Sequence, residues 1–423
     1  MEKCIFEKVD ECIYKEVLDN GLEVYLYPNK KTKNFYITIS VKYGSSILKY
    51  KVNNEINEII PGSAHFLEHK VMAISENKKF SKKIKEYGSI ANAWTNSYGT
   101  NYNIFGSKNI YENIKLLLDI FYNTNINDKN VEEEKGIIGE EIDMYKDKIN
   151  MYMTETLCKS IFKNAYPKNT TVGERSDIEK ITADSLNKIY NDYYIPNNTF
   201  IIVCGDFDNK KCLDLIKKQI KKYNPIKKEL PEKVIEKEPL KVNKDFVQIE
   251  KNVECERVKI GFKFNKDILG ISDDNLIRYY LDIIFSCYIS PTSKIFEKYK
   301  NEELFYDGGY GVTLVEDKIV IIVSAACINA DRFIKEVLKD IRKLNINKED
   351  FERKKKLYLK SYIMDFDNIE DIEYNICMSL MVDGYINYKE YSQIINLDYE
   401  EALRIIKLLK FDNYSIVKCI EKE

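Results

Sequence analysis

Two stretches of alternating residues, one in each half of the chain, do most to limit what this sequence can fold into. Phe35, Ile37, Ile39, Val41 and Tyr43 alternate with Tyr36, Thr38, Ser40 and Lys42, and Val258, Ile260, Phe262 and Phe264 repeat the pattern. A period of two with one apolar face makes a half-buried strand. In the first half, the turn signal Asn20-Gly21 precedes a second strand at Leu22–Tyr27. Helical spacing follows over 64–72 and 79–87, then strands at 89–95 and 101–105 and helices over 110–121, 129–148 and 183–193. Ile195-Pro196 breaks the last of these before a strand at Thr199–Cys204. The second half runs in the same order: a helix over 274–287, strands at 306–314 and 319–325, helices between 331 and 409, and a closing strand at Tyr414–Cys419. In each half the first patterned strand and the last lie roughly 160 residues apart, which predicts a duplicated unit. The fold class expected is α+β, with two similar α/β domains, each an antiparallel-rich sheet covered by helices. Residues 222–244, mostly Lys, Glu and Pro (Pro225, Pro231 and Pro239), read as an interdomain linker. That places the domains at residues 1–221 and 245–423.

Charge excludes some function classes. The 423 residues carry 66 Lys and Arg against 68 Asp and Glu, a formal net charge of −2. Such a surface exerts no general pull on nucleic acid or anionic membrane, and neither is expected as a partner. Ten cysteines are spread along the chain without a C-x-x-C pair, so a cysteine zinc knuckle or a thioredoxin-like site is not expected. Reduced buried thiols, no apolar signal region at the start and no apolar run long enough to span a bilayer predict a cytoplasmic protein. Gly308-Gly309-Tyr310-Gly311 lacks the G-K-[ST] ending of a phosphate loop and reads as a bent strand or turn.

The chain has only two histidines, and both fall in His65-Phe66-Leu67-Glu68-His69. Two histidines placed at random would stand four apart about once in two hundred. On a helix they share one face, with Glu68 at its edge. Imidazoles at i and i+4 bind one zinc ion, and a carboxylate beside them can take a proton from water: this is the H-x-x-E-H arrangement. A catalytic zinc needs a third protein ligand, and with no third histidine a carboxylate is expected. Glu134 and Glu141, seven apart in the acidic segment 132–145, share a helix face that Ile137 and Ile138 would turn inward.

His65–His69 with Glu134 and Glu141 downstream resembles the insulinase/pitrilysin family of zinc metallopeptidases, and more closely its half-size bacterial members related to the mitochondrial processing peptidases. Supporting stretches are Leu18-Asp-Asn-Gly-Leu-Glu-Val-Tyr-Leu26, Gly88-Ser-Ile-Ala-Asn-Ala-Trp-Thr95 and Tyr193-Tyr-Ile-Pro-Asn-Asn198. The resemblance implies one zinc ion per chain on His65, His69 and Glu141, with Glu68 as general base and Glu134 as a carboxylate orienting a ligand histidine. It further implies that Asn92, Ala93, Trp94 and Thr95 lie on the edge strand that receives substrate backbone. The two domains would form half of a clamshell chamber around a peptide substrate. In such members an Arg and a Tyr from the second half steady the oxyanion. Here Tyr306 stands where the tyrosine would be, with a core or strand role as the alternative, and Tyr299 stands where the arginine would be. Losing such a donor costs about 10²–10³ in rate. A same-fold, metal-free subunit supplying both residues in a heterodimer, or else a homodimer, is therefore expected. The resulting expectation is a zinc-dependent endopeptidase acting on oligopeptide, leader or targeting peptides. The alternative is a non-hydrolytic peptide-binding subunit that retains a zinc site.

Overall fold

The computed structural model describes residues 1–72 and 78–422. They divide into two compact units that exchange segments of chain. The first comprises Met1–Met144, Thr170–Ile235 and Ile363–Lys389; the second comprises Tyr145–Asn169, Glu236–Tyr362 and Glu390–Glu423.

Strands of the first unit are β1 (Glu2–Ile5), β2 (Cys12–Val17), β3 (Glu23–Pro28), β4 (Phe35–Val41), β5 (Lys49–Val52), β6 (Glu55–Glu58), β7 (Ile90–Thr95), β8 (Thr100–Gly106), β9 (Thr199–Gly205) and β10 (Glu232–Lys233). Those of the second are β11 (Phe246–Lys251), β12 (Glu256–Asn265), β13 (Phe305–Val315), β14 (Lys318–Cys327) and β15 (Tyr414–Glu421). Helices up to the middle of the chain are α1 (Ser63–Met72), α2 (Lys78–Tyr87), α3 (Ile110–Tyr122), α4 (Asp128–Asp147), α5 (Ile149–Ile161), α6 (Arg175–Ile178), α7 (Ala183–Tyr193) and α8 (Asn209–Tyr223). They continue with α9 (Asp274–Tyr288), α10 (Lys294–Asn301), α11 (Ala330–Ile341), α12 (Lys348–Met364), α13 (Ile369–Val382), α14 (Glu390–Ile395) and α15 (Tyr399–Leu408).

The main sheet of the first unit runs β1-β2-β3-β9-β4-β8-β7, and that of the second runs β11-β15-β12-β14-β13. Within each, one pair is parallel, β3 with β9 and β11 with β15, and the other pairs are antiparallel. The order β3-β9-β4-β8-β7 thus recurs strand for strand, as a duplicated unit requires.

Period-two alternation explains the layers. Leu26, Ile37, Ile39, Tyr102 and Val203 face a core built with α1, α3, α7 and α8. Tyr25, Tyr27, Tyr36, Phe200 and Ile202 face the other way, onto Ile372, Ile376 and Leu380 of α13. In the second unit Val258, Ile260 and Phe262 meet α9 and α11, while Val417 and Val320 meet Met153 and Leu157 of α5. Hence α5, which follows α4 in the first half, covers the second unit's sheet. Its counterpart α13, which follows α12, covers the first unit's sheet. Gly261 on β12 is what lets α5 come close, since a Cβ there would run into Cδ1 of Ile161.

Two features differ from the sequence reading. Helix α5 was not foreseen; it is separated from α4 by the single residue Lys148, in an extended conformation. The stretch 222–244 is also more integrated than its composition implies. Within it β10 pairs with β5, and Glu238 is 2% exposed. Its carboxylate accepts from the N–H groups of Lys163, Asn164 and Ala165 and pairs with Lys263 at 2.5 Å. The ten cysteines form no disulfide. Among the described residues, no helix is long and apolar enough to cross a membrane.

Candidate metal centre

Pro61-Gly62 turns the chain into α1, with Gly62 at φ +90°, a conformation that strains any residue with a side chain. Phe66, Leu67, Val71 and Met72 then anchor α1 in the core. Its other positions present His65 and His69 one turn apart, their ring centroids 4.6 Å from each other. On α4, Val131, Ile138 and Ile142 are buried, and the same face carries Glu134, buried, and Glu141, half-buried.

The ligand atoms of His65, His69 and Glu141 lie within 4.8 Å of one another. Nε2 of His65 stands 3.6 Å from Oε2 of Glu141, and Nε2 of His69 stands 3.5 Å from the same oxygen. These are long for hydrogen bonds. Each is the separation expected between two ligands at about 2.0–2.2 Å from one tetrahedral ion, about 3.3–3.6 Å. Two imidazoles and one carboxylate are a donor set suited to zinc. Nδ1 of His69 meets Oε1 of Glu134 at 2.9 Å, leaving Nε2 to face Glu141. The residues therefore fit the ion.

Electrostatics separates the two rings. Burial, reinforced by neighbouring His69, pushes His65 down to about 4, so its ring stays a neutral donor. Burial acts the same way on His69, but its hydrogen bond to Glu134 and the nearby Glu141 carboxylate prevail and lift it to about 9. Glu134 resists its own burial through His69 and Lys70 and is held down to about 2. Burial raises Glu68, against the opposing pull of its hydrogen bond from Thr95 and of the charge on His69.

Two contacts here went unforeseen. Lys70, whose side chain is fully enclosed, reaches Oε2 of Glu134 at 2.7 Å and donates to the carbonyl of Asn130 at 2.9 Å. Its one visible signal was a lysine set between His69 and the apolar Val71-Met72. The hydroxyl of Thr95 donates to Oε2 of Glu68 at 2.6 Å. Sequence reasoning had assigned Thr95 a main-chain role alone.

The remaining predicted residues are placed as follows. Asn92, Ala93, Trp94 and Thr95 lie on β7, which ends the sheet and pairs only with β8 among the described residues. Trp94 packs beside Tyr374 of α13, ring centroids 6.0 Å apart. In the second unit, Tyr306 on β13 is 60% exposed. Tyr299 is fully buried there and its hydroxyl donates to Asp340 at 3.1 Å, which makes it a core residue.

Residues 25–175 match the family model described as Insulinase (Peptidase family M16), and residues 180–358 match the Peptidase M16 inactive domain. The uncharacterized zinc protease YmfH of Bacillus subtilis is 28% identical over 309 residues, 71% of this chain and 71% of the relative. The mitochondrial-processing peptidase subunit beta of Homo sapiens is 27% identical over 167 residues, 38% of this chain and 34% of that one. Among solved structures, an M16-like peptidase from Alicyclobacillus acidocaldarius superposes with a TM-score of 0.88 at 22% identity, covering 99% of this chain and 100% of the other. The periplasmic protease PqqL of Escherichia coli gives a TM-score of 0.73 at 16% identity, with 99% of this chain covering 48% of that one. Two matched models, spanning most of the chain around a converging His-His-Glu set, lead to one conclusion: the chain belongs to the insulinase (M16) family of peptidases.

Proposed function

We propose that this chain is a zinc-dependent endopeptidase, and the observation that carries the reading is the convergence of His65, His69 and Glu141 beside a half-buried Glu68. His65, His69 and Glu141 would hold the ion. When bound, zinc supplies Lewis-acid polarisation of a peptide carbonyl and lowers the pKa of water toward 7. Glu68 takes a proton from the attacking water and delivers it to the leaving amine. Thr95 fixes which oxygen of Glu68 is free to do so, because the other accepts its hydroxyl. Glu134 holds the ring of His69, and Lys70 keeps that carboxylate ionised and aligned. Substrate backbone adds to the open edge of β7 along Asn92–Thr95, which binds many sequences through main-chain hydrogen bonds.

The substrate class is peptide: oligopeptide, leader or targeting peptide. A same-fold partner supplying the Arg/Tyr pair belongs to this reading. Its support is the enclosed Tyr299 at the arginine position and a relative that is itself named a subunit. A cytoplasmic location is part of the same proposal.

The test is cleavage of a mixed peptide library, followed by mass spectrometry, with the chain alone and with same-fold proteins of its native host. Cleavage lost to a zinc chelator and restored by zinc is expected, with full rate only in the pair. Full-rate cleavage by the purified chain alone removes the partner. An absence of cleavage in every combination, with zinc bound, removes the peptidase reading and leaves a peptide-binding subunit.

A further inference from the structure

We propose that the second unit's sheet carries a site for carboxylates of a peptide, formed by Arg257 and Lys259 of β12. Identifying the ligand as a peptide rests on the peptidase reading above; that the site takes an anion does not.

Along β12, Val258, Ile260, Phe262 and Phe264 point into the core, so Arg257, Lys259, Gly261 and Lys263 line the opposite face. The last two are accounted for. Gly261 sits under Ile161 of α5, and Lys263 is paired with Glu238. Arg257 and Lys259 have no such explanation: neither has a hydrogen-bond or ion-pair partner among the described residues, and Nε of Arg257 is shut off from solvent with no acceptor. Both side chains are half-buried. Burial pushes the Lys259 ammonium below its ordinary value, and the like charge of Arg257 adds to the effect. Leaving two desolvated cations unpaired destabilises the ligand-free chain.

Among the described residues, no group on this face pairs with them. Cys158 of α5, beside Lys259, is pushed up to about 11 by burial and stays a neutral thiol. Asp307 lies across β14 from Arg257 through Ala326, and Glu421 lies two residues beyond Cys419, the β15 partner of Arg257. Neither acid makes an ion pair with them.

The floor beside the cations is bare. Lys259 is in register with Ser324 of β14, and Ser324 with Gly309 of β13; Gly311 follows on the same face. A Cβ on Gly309 or Gly311 would meet nothing within 4 Å, and neither has a positive φ. Neither packing nor backbone conformation therefore demands glycine at these positions, and their effect is to keep the face low and open next to two waiting donors. A guanidinium takes a carboxylate through two parallel hydrogen bonds, and a lysine two residues along the strand can engage a second one.

The test uses the full chain as Glu68→Gln, so that bound peptide is not consumed. Two labelled peptides, identical except that a run of Asp and Glu in one is Asn and Gln in the other, are compared by fluorescence anisotropy. The acidic peptide should bind about tenfold tighter or more, and the preference should vanish at about 0.5 M salt and in Arg257→Gln/Lys259→Gln. Equal affinity for the two peptides overturns the site. Inorganic phosphate is the second probe. Affinity for phosphate equal to that for the acidic peptide overturns the assignment to a peptide. Thermal unfolding is the third measurement: Lys259→Met should raise the Tm of the ligand-free chain by removing an unpaired charge. A lowered Tm would mean a structural partner and also overturns the proposal. Cleavage is scored separately on the unsubstituted chain. Acidic preference without cleavage rejects the peptidase reading alone, and cleavage without the preference rejects this site alone.

Discussion

A lysine–glutamate pair is enclosed in each unit, and the two pairs do different work. In the first unit Lys70 meets Glu134 at 2.7 Å; in the second Lys263 meets Glu238 at 2.5 Å, and all four side chains are less than a tenth exposed. Glu238 spends its remaining acceptor capacity on three backbone N–H groups where α5 ends. That pair ties a connecting segment to a sheet. Glu134 spends its other oxygen on Nδ1 of His69, one of the three residues proposed to hold zinc. Enclosed ion pairs cost desolvation and are weak evidence of stability in themselves. The difference lies in what the carboxylate's second oxygen holds: main chain in one unit, the imidazole of His69 in the other.

Experiments can break that comparison, beginning with the largest effect. Glu68→Gln should lower turnover by about 10²–10⁴-fold while zinc content by elemental analysis stays near one per chain. Undiminished turnover would falsify the assigned base. Lys263→Met should cost about 3–5 kcal/mol of stability in urea unfolding, because it strands a buried carboxylate, yet leave zinc affinity unchanged. Lys70→Met and Glu134→Gln should each weaken zinc by about 10–100-fold in chelator competition. If Lys263→Met weakens zinc equally, the two pairs are not functionally distinct.

Glu373 on α13 sharpens the contrast. It is 2% exposed, accepts from Thr38 at 2.5 Å, and burial raises it from 4.5 to about 7. Its folded pKa lies above the unfolded value, so the native state holds a proton that the unfolded state has lost. Stability from this group is complete below about 4.5 and declines as pH rises to about 7, by about 3 kcal/mol. Glu373→Gln should flatten that decline, giving a higher Tm than the parent at pH 8 and little change at pH 4. An unchanged pH profile would mean that Glu373 is ionised in the fold. The smallest effect is Gly261→Ala, which should cost about 1–3 kcal/mol by forcing α5 off β12. A neutral result would show that α5 can shift at no cost.

How much of this was readable in the sequence depended on how local the cause was. The histidine pair and the Glu134–Glu141 spacing are set by helix periodicity, so they could be read directly. So could β4 and β12 from their alternation, and β9 from an apolar run that is buried on both faces. Helix α5 could not, because what it buries against, β12 and β15, lies about a hundred residues or more away and no proline or glycine marks its break from α4. Lys70 and Glu238 were hidden for another reason. Charged residues are ordinarily solvated, and only a partner remote in sequence makes enclosure tolerable. The hydroxyl of Thr95 escaped because its contact with Glu68 joins a strand to a helix 27 residues away.

The exchange of α5 and α13 has a consequence for biosynthesis. When the first unit's last sheet strand, Thr199–Gly205, leaves the ribosome, one face of that sheet still awaits Ile369–Val382. Tyr25, Tyr27, Tyr36 and Phe200 stay uncovered while most of the second half is translated. Cutting the gene at the charged stretch between the halves would yield two fragments, each lacking the helix that shields its own sheet. The nascent chain thus carries an apolar surface for which a chaperone, or the same surface on another unfinished copy, can compete until translation is nearly done.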